Sequence, residues 1–180
     1  DAYPHCDLRR GARTLVFADG LPGAGVMIVG EAPGRDEDQQ GLPFVGRAGQ
    51  LLDRMLAAIG LSRDRDVYIT NIVKYRPPNN RTPYVSEMKA HGRYLWKHLD
   101  IIAPKIVILL GNTTSRFILS SIQGTAVSSV KPITELRGNP VDVGSRVYLP
   151  TFHPAATLYD QKKKPVLVQD LEYSKTFLDA

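Results

Sequence analysis

Val26-Met27-Ile28-Val29-Gly30-Glu31-Ala32-Pro33-Gly34 orders the rest of the chain. Four consecutive apolar residues read as a strand buried on both faces, and the Gly- and Pro-rich segment that follows reads as a tight loop before a helix. Three further apolar runs have the same character: Val67–Thr70, Ile106–Leu110 and Val147–Leu149. Helical patterns separate them. The alternation of strand and helix predicts a three-layer α/β sandwich with a central, mainly parallel four-stranded sheet, in one domain over residues 1–180.

The helices are set by apolar periodicity and by stop signals. Ala48, Leu51, Leu52, Met55 and Ile59 recur at helical spacing, with Gly60 as the stop. Thr82-Pro83 reads as an N-cap and first helical position, after which Val85, Met88, His91, Leu95, Leu99 and Ile102 mark one face of a long helix. Helices are expected over roughly Thr113 to Ser121 and Val166 to Leu178, and an irregular wrap over Asp1 to Gly25.

Composition narrows the class. The chain has 180 residues, 43% of them hydrophobic, which suits a globular domain with its own core. No apolar run approaches the ~18–20 residues of a membrane span, and no signal peptide opens the sequence. A single cysteine, Cys6, leaves no internal disulfide framework and points to a reducing, intracellular compartment, that is, the cytoplasm. The net charge of +5 suits an anionic partner without identifying one.

The chemistry collects at strand ends. Gly30-Glu31 follows the first core strand, Asn71 the second, and Phe152-His153-Pro154 the fourth. In a parallel sheet these ends share one edge, where ligands bind. Glu31, Asn71, His153 and the loop bearing Phe44 are therefore expected to converge on one pocket for a planar ligand. Phe44 offers a stacking face, Asn71 an amide that donates and accepts, and His153 a donor for developing negative charge. Uracil fits such a pocket, because its O4 acceptor and N3–H donor match one oriented carboxamide. Cytosine presents the reverse pattern and would leave buried mismatches.

Four segments carry a family resemblance. Gly30-Glu31-Ala32-Pro33-Gly34, Pro43-Phe44-Val45-Gly46, Tyr68-Ile69-Thr70-Asn71-Ile72-Val73-Lys74 and His153-Pro154-Ala155-Ala156 occur in the order and spacing of the uracil-DNA glycosylase superfamily. The chain most resembles the branch called family 4, from Tyr3 to about Leu158. The resemblance implies a uracil pocket of Gly30, Glu31, Ala32, Phe44, Asn71 and His153. It also implies hydrolysis of the N-glycosidic bond of deoxyuridine in DNA, with uracil as product and an abasic site left behind. His153 and backbone amides near Ala32 would stabilise uracil O2 as bond breaking runs ahead of water attack. Family 1 relatives carry Asp where Ala32 stands, which leaves Glu31 and Glu37 as the two candidates to orient water or offset cationic charge.

For DNA, Lys74, Arg76, Arg81 and Lys162 to Lys164 are expected in loops flanking the strand ends, as phosphate contacts. The Lys162 to Lys164 run reads equally well as a solvated stretch. Leu158 is the expected wedge into the vacated base stack, with Thr157 or Tyr159 as alternatives.

Family 4 proteins usually hold an iron–sulfur cluster on four cysteines, and the matching positions here are Tyr3, Cys6, Tyr75 and His91. A cubane cluster needs about four thiolate-type ligands, so no cluster, cofactor or metal is expected. A zinc site from His5, Cys6 and His91 lacks a paired-ligand spacing. The insertion after Tyr75 seen in relatives that trap DNA covalently is missing. The expected enzyme is a monomer acting on uracil-containing DNA, single or double stranded. Two other classes compete with it: a uracil- or DNA-binding module without catalysis, and a small-molecule enzyme using the Gly-rich turn for phosphate. Gly30 and Gly34 form no dinucleotide fingerprint, and the adjacent carboxylates would repel phosphate.

Overall fold

Residues 7–178 are described by a computed structural model. Among them six strands form one sheet: β1 (Ala18–Gly20), β2 (Val26–Gly30), β3 (Val67–Asn71), β4 (Ile106–Leu110), β5 (Val141–Val143) and β6 (Arg146–Thr151). The order is β1-β3-β2-β4-β6-β5. The four central strands run parallel, and β1 and β5 pair antiparallel at the two edges.

Side chains of the central strands alternate between two apolar layers, as the pleat requires. Val26, Ile28, Val67, Ile69, Ile106, Ile108, Leu110 and Leu149 enter one layer. Met27, Val29, Tyr68, Val107, Leu109 and Tyr148 enter the other. The helices, in chain order, are α1 (Leu8–Gly11), α2 (Arg35–Gln40), α3 (Arg47–Ala58), α4 (Arg63–Asp66), α5 (Val85–Ile102), α6 (Asn112–Gln123), α7 (Ile133–Leu136), α8 (Pro154–Tyr159) and α9 (Lys163–Tyr173). The first layer is closed by α3, through Leu51, Leu52, Met55 and Leu56, and by α9, through Leu167 and Leu171. The second is closed by α5, through Met88, Leu95 and Leu99, and by α6, through Phe117, Ile118 and Leu119. Burying each of these side chains contributes roughly 1.5–3 kcal/mol. The three-layer α/β architecture and its parallel core match the sequence expectation.

Three details differ from it. The sheet has six strands rather than four, because β1 (Ala-Asp-Gly) and β5 (Val-Asp-Val) are three-residue edge strands with one neighbour each and no apolar run. The long helix starts at Val85, not Pro83: the Tyr84 N–H donates to Glu87 Oε2 at 2.7 Å and closes a capping box there. The stretch before β2 is ordered in part by α1 and β1. It is tied down by the buried Asp38, whose Oδ1 accepts the N–H groups of Arg13 (2.8 Å) and Thr14 (3.1 Å).

Register levels the strand ends. Gly30 pairs with Asn71 across β2 and β3, and Leu110 pairs with Thr151 across β4 and β6. Since β3 and β4 lie on opposite sides of β2, the loops leaving these ends frame a crevice at one edge of the sheet.

Candidate active site

A cleft of about 350 Å³ opens at that edge. It is lined by Glu31, Ala32, Glu37, Phe44, Asn71 and His153 among others. The sequence-derived pocket residues therefore meet in one place. Gly30 lies beneath them: a Cβ built there would collide with Asn71 Oδ1 and with Cζ of the Phe44 ring. The carboxamide and the aromatic edge thus meet over the one residue type that leaves them room.

Asn71 ends β3 and is 2% exposed. Its Oδ1 has no hydrogen-bond partner among the described residues. A buried acceptor left unpaired costs about 1–3 kcal/mol, so such an atom marks a place for a donor.

His153 caps the N-terminus of α8. Its Nδ1 accepts the Ala155 N–H at 3.1 Å, which leaves Nε2 to carry the proton of the neutral ring. Burial holds the imidazolium down to about 4, with the Glu37 charge opposing the shift. The ring is therefore a neutral donor at physiological pH. It lies against Phe44, with ring centroids 5.7 Å apart and planes inclined by 29°.

The two candidate carboxylates divide sharply. Glu37 Oε1 accepts the N–H groups of Val45 (2.9 Å) and Gly46 (2.7 Å), and Oε2 accepts that of Gly34 (3.1 Å). Glu37 thus staples the loop after β2 to the loop bearing Phe44. Among the described residues Glu31 lines the cleft with no backbone staple of this kind. Burial pushes its carboxyl above the ordinary range, partly offset by the hydroxyls of Thr113 and Thr82.

The structure redistributes the residues expected to touch DNA. Lys74 is fully buried, and its Nζ donates to Thr70 Oγ1 and, at 2.8 Å, to the Asn71 carbonyl. It cannot reach a phosphate. β3 runs on into covered backbone here, with the Val16 N–H bonded to the Lys74 carbonyl at 2.9 Å and the Phe17 ring 5.9 Å from Nζ. Arg76 donates to Asn80 Oδ1 at 2.6 Å. Arg81 lines the cleft, forks onto Glu87 at 2.8 and 2.7 Å, and stacks on Tyr84 at 3.8 Å. Lys162 and Lys164 are exposed and Lys163 pairs with Asp160 at 3.4 Å, but Lys163 and Lys164 open α9 where a loop was expected, since the helix starts three residues before Val166.

The expected wedge Leu158 packs against the apolar layer under α3 and α9, and Thr157 is buried with its hydroxyl on the Pro154 carbonyl. Tyr159 is the side chain that stands out, 93% exposed. Leu158 follows the buried Pro154 by one helical turn, and Tyr159 follows the cleft-lining Ala155 by one turn.

Of the four positions that the family resemblance sets against cluster cysteines, Tyr3 and Cys6 lie outside the described residues, as does His5 of the weighed zinc set. Tyr75 and His91 pack edge to face with centroids 6.0 Å apart, and His91 Nδ1 accepts the Lys74 N–H at 3.2 Å. A phenol and an imidazole whose Nδ1 is already engaged do not fit a cubane cluster. Among the described residues no three His, Cys, Asp or Glu side chains group as a metal site.

Sequence reasoning missed Arg63 and Asn80. Arg63 lies in the polar run Ser62 to Asp66, where nothing local signals a role. Asn80 sits with Asn79 in the left-handed region, and Pro77-Pro78-Asn79-Asn80 was a readable signal for a rigid turn at the rim.

The family model of the Uracil DNA glycosylase superfamily matches residues 17–173. The chain belongs to the uracil-DNA glycosylase superfamily. A protein of Thermotoga maritima described as a type-4 uracil-DNA glycosylase is 40% identical over 176 residues, covering 96% of this chain and 88% of the relative. The type-4 uracil-DNA glycosylase of Archaeoglobus fulgidus is 44% identical, covering 93% and 81%. A type-5 uracil-DNA glycosylase of Pyrobaculum aerophilum is 35% identical, covering 73% and 62%. The superfamily match spans both layers of the sandwich and every residue of the cleft named above. Among the described residues no helix is long and apolar enough to cross a membrane.

Proposed function

We infer that this chain hydrolyses the N-glycosidic bond of deoxyuridine in DNA, releasing uracil and leaving an abasic site for repair. Relatives named as type-4 uracil-DNA glycosylases, similar over most of their length, support the reaction. The observation that carries the site assignment is the unpartnered, buried Oδ1 of Asn71, which meets the edge of the Phe44 ring over Gly30. That atom accepts uracil N3–H while the amide nitrogen donates to O4. Cytosine would place an acceptor against the same oxygen, and buried mismatches of this kind discriminate by orders of magnitude.

The extruded base stacks on Phe44. As the glycosidic bond lengthens, negative charge grows on uracil O2 and positive charge on the sugar. His153 donates Nε2–H to O2. A neutral imidazole has this proton to share without having to be charged inside a buried site. Glu31 is our choice to orient water and offset the sugar's charge, because the oxygens of Glu37 are taken by three backbone amides. Glu37 serves by holding the two loops together.

DNA reaches the cleft past Arg76 and Arg81 on one rim and past Tyr159, Lys162 and Lys164 on the α8 side. Tyr159 replaces Leu158 as the group that stacks into the space vacated by the flipped base. We take it to act as a single-domain monomer, and its DNA substrate would place it in the cytoplasm on the nucleoid.

The test is release of uracil from a uracil-containing single-stranded oligonucleotide, read as alkali-labile strand cleavage, together with thermal melting in free uracil. Cleavage, with a melting point raised by uracil and not by nucleotides, is expected. Uracil-dependent stabilisation without cleavage would instead mark a binding module.

A further inference from the structure

We propose that Arg63 is a positioning residue for the uracil pocket: its guanidinium grips the carbonyls of Pro43 and Phe44 and thereby decides where the Phe44 ring stands. The inference rests on the stacking role given to Phe44 above.

The hydrogen bonds define the grip. Arg63 Nη1 donates to the Pro43 carbonyl at 2.6 Å and to Asp19 Oδ2 at 3.0 Å. Nη2 donates to the Phe44 carbonyl at 2.6 Å and to Asp53 Oδ1 at 3.0 Å, and Nε reaches the same Asp53 oxygen at 3.1 Å. Two carboxylates, from β1 and α3, aim the planar fork, and its remaining donors fall on two successive carbonyls. Lysine offers a point charge and cannot span the four acceptors in this geometry.

The held segment needs holding. Phe44 has φ +54°, in the left-handed region that L residues rarely adopt. Such a conformation persists only where the surroundings over-determine it. Three contacts do so. Arg63 takes the carbonyls of residues 43 and 44. Glu37 takes the N–H groups of residues 45 and 46. α3 seats directly on the same backbone at Gly49, where any Cβ would strike the Phe44 carbonyl. A cation on the carbonyls and an anion on the following amides fix the turn from both ends, and the ring between them is driven over Gly30 toward Asn71.

An ion pair that merely docked β1 on α3 would need Asp19, Asp53 and Arg63 but neither carbonyl. The two cases separate in a double-mutant cycle with Phe44. Single-turnover uracil excision from a single-stranded oligonucleotide is measured for the parent, Phe44→Ala, Arg63→Met and the double variant, at a temperature where each remains folded. We expect each single variant to lose at least about 10-fold, and the double variant to match Phe44→Ala within about 2-fold, since without a ring there is nothing left to position. Losses that multiply, or Arg63→Met at the parental rate beside an impaired Phe44→Ala, would overturn the proposal alone. Phe44→Ala at the parental rate would overturn the stacking role and this proposal with it. Should Arg63→Met not fold, Arg63→Lys, which keeps a cation beside Asp19 and Asp53, enters the same cycle with the same criteria.

Discussion

The ring of Phe44 and the imidazole of His153 lie 5.7 Å apart at 29°, so the two rings share one wall of the cleft. Asn71 Oδ1 faces the same ring across Gly30. Three side chains from three separate loops or strand ends thus address one small volume, and the proposed reaction gives each a different chemical task there.

Removing either polar member should reduce catalysis without unfolding the chain. Asn71→Ala and His153→Ala are each expected to lower the single-turnover rate of uracil release by at least about 10², the usual effect of one lost transition-state donor or reader. The denaturant midpoint of Asn71→Ala should stay near the parent's, because Asn71 Oδ1 has no partner among the described residues to lose, whereas that of His153→Ala should fall modestly with the loss of the cap bond to the Ala155 N–H. Rates equal to the parent's in both variants would remove these residues from the mechanism.

Much of this was legible beforehand, for a physical reason. Strands buried on both faces must be almost wholly apolar, so Val26–Val29 and Ile106–Leu110 announce themselves, and the residues leaving their ends are neighbours in sequence. Asn71 and His153 could be placed by that logic alone. Lys74 could not. A lysine three residues past a strand end reads as solvent-facing, and only the return of Val16 and Phe17 over that backbone reveals its burial. Arg63 was hidden for the same reason: its partners Asp19, Pro43, Phe44 and Asp53 are close only in the folded chain. β1 and β5 were missed because short edge strands carry no apolar run.

The pH dependence of excision should carry an acid limb that begins with Glu31. Burial raises its carboxyl above the ordinary 4.5, so as pH falls it protonates before His153, whose imidazole stays neutral down to about 4. In the proposed reaction charged Glu31 is the active form, so activity should fall as it takes up a proton. Single-turnover rates from pH 4 to 9 measure this. Glu31→Gln should lower the rate and move the limb down toward pH 4, where His153 takes up its proton. An inflection near 6.5 that vanished in His153→Gln would mean that the imidazole works charged.

Tyr159 gives a prediction about strand state. A side chain that fills the hole left by a flipped base matters where there is a stack to fill, so Tyr159→Ala should impair double-stranded substrate by about 10-fold or more and single-stranded substrate by less than about 3-fold. Leu158→Ala should act differently, lowering thermal stability through its place in the apolar layer. Equal losses on both substrates for Tyr159→Ala would assign it a general DNA contact instead of a wedge.

Lys74 makes stability depend on pH in a direction that can be worked out. Burial lowers its ammonium from the ordinary 10.5 to about 7 in the folded chain. Below about 7 both folded and unfolded chains hold the proton, and the full cost of burying the charge is present. Between about 7 and 10.5 the unfolded chain binds the extra proton, so stability rises with pH across that window. The slope attributable to one group is at most about 1.4 kcal/mol per pH unit. Other groups titrate there too, Tyr68 among them, since burial raises its phenol above the ordinary 10.0. The comparison is therefore parent against Lys74→Met in urea melts at pH 6.5, 7.5, 8.5 and 9.5. The stability of the parent relative to the variant should climb with pH. A constant difference would mean that the buried amine keeps its ordinary pKa, and that Thr70 and the Asn71 carbonyl hold it fully charged beneath the pocket.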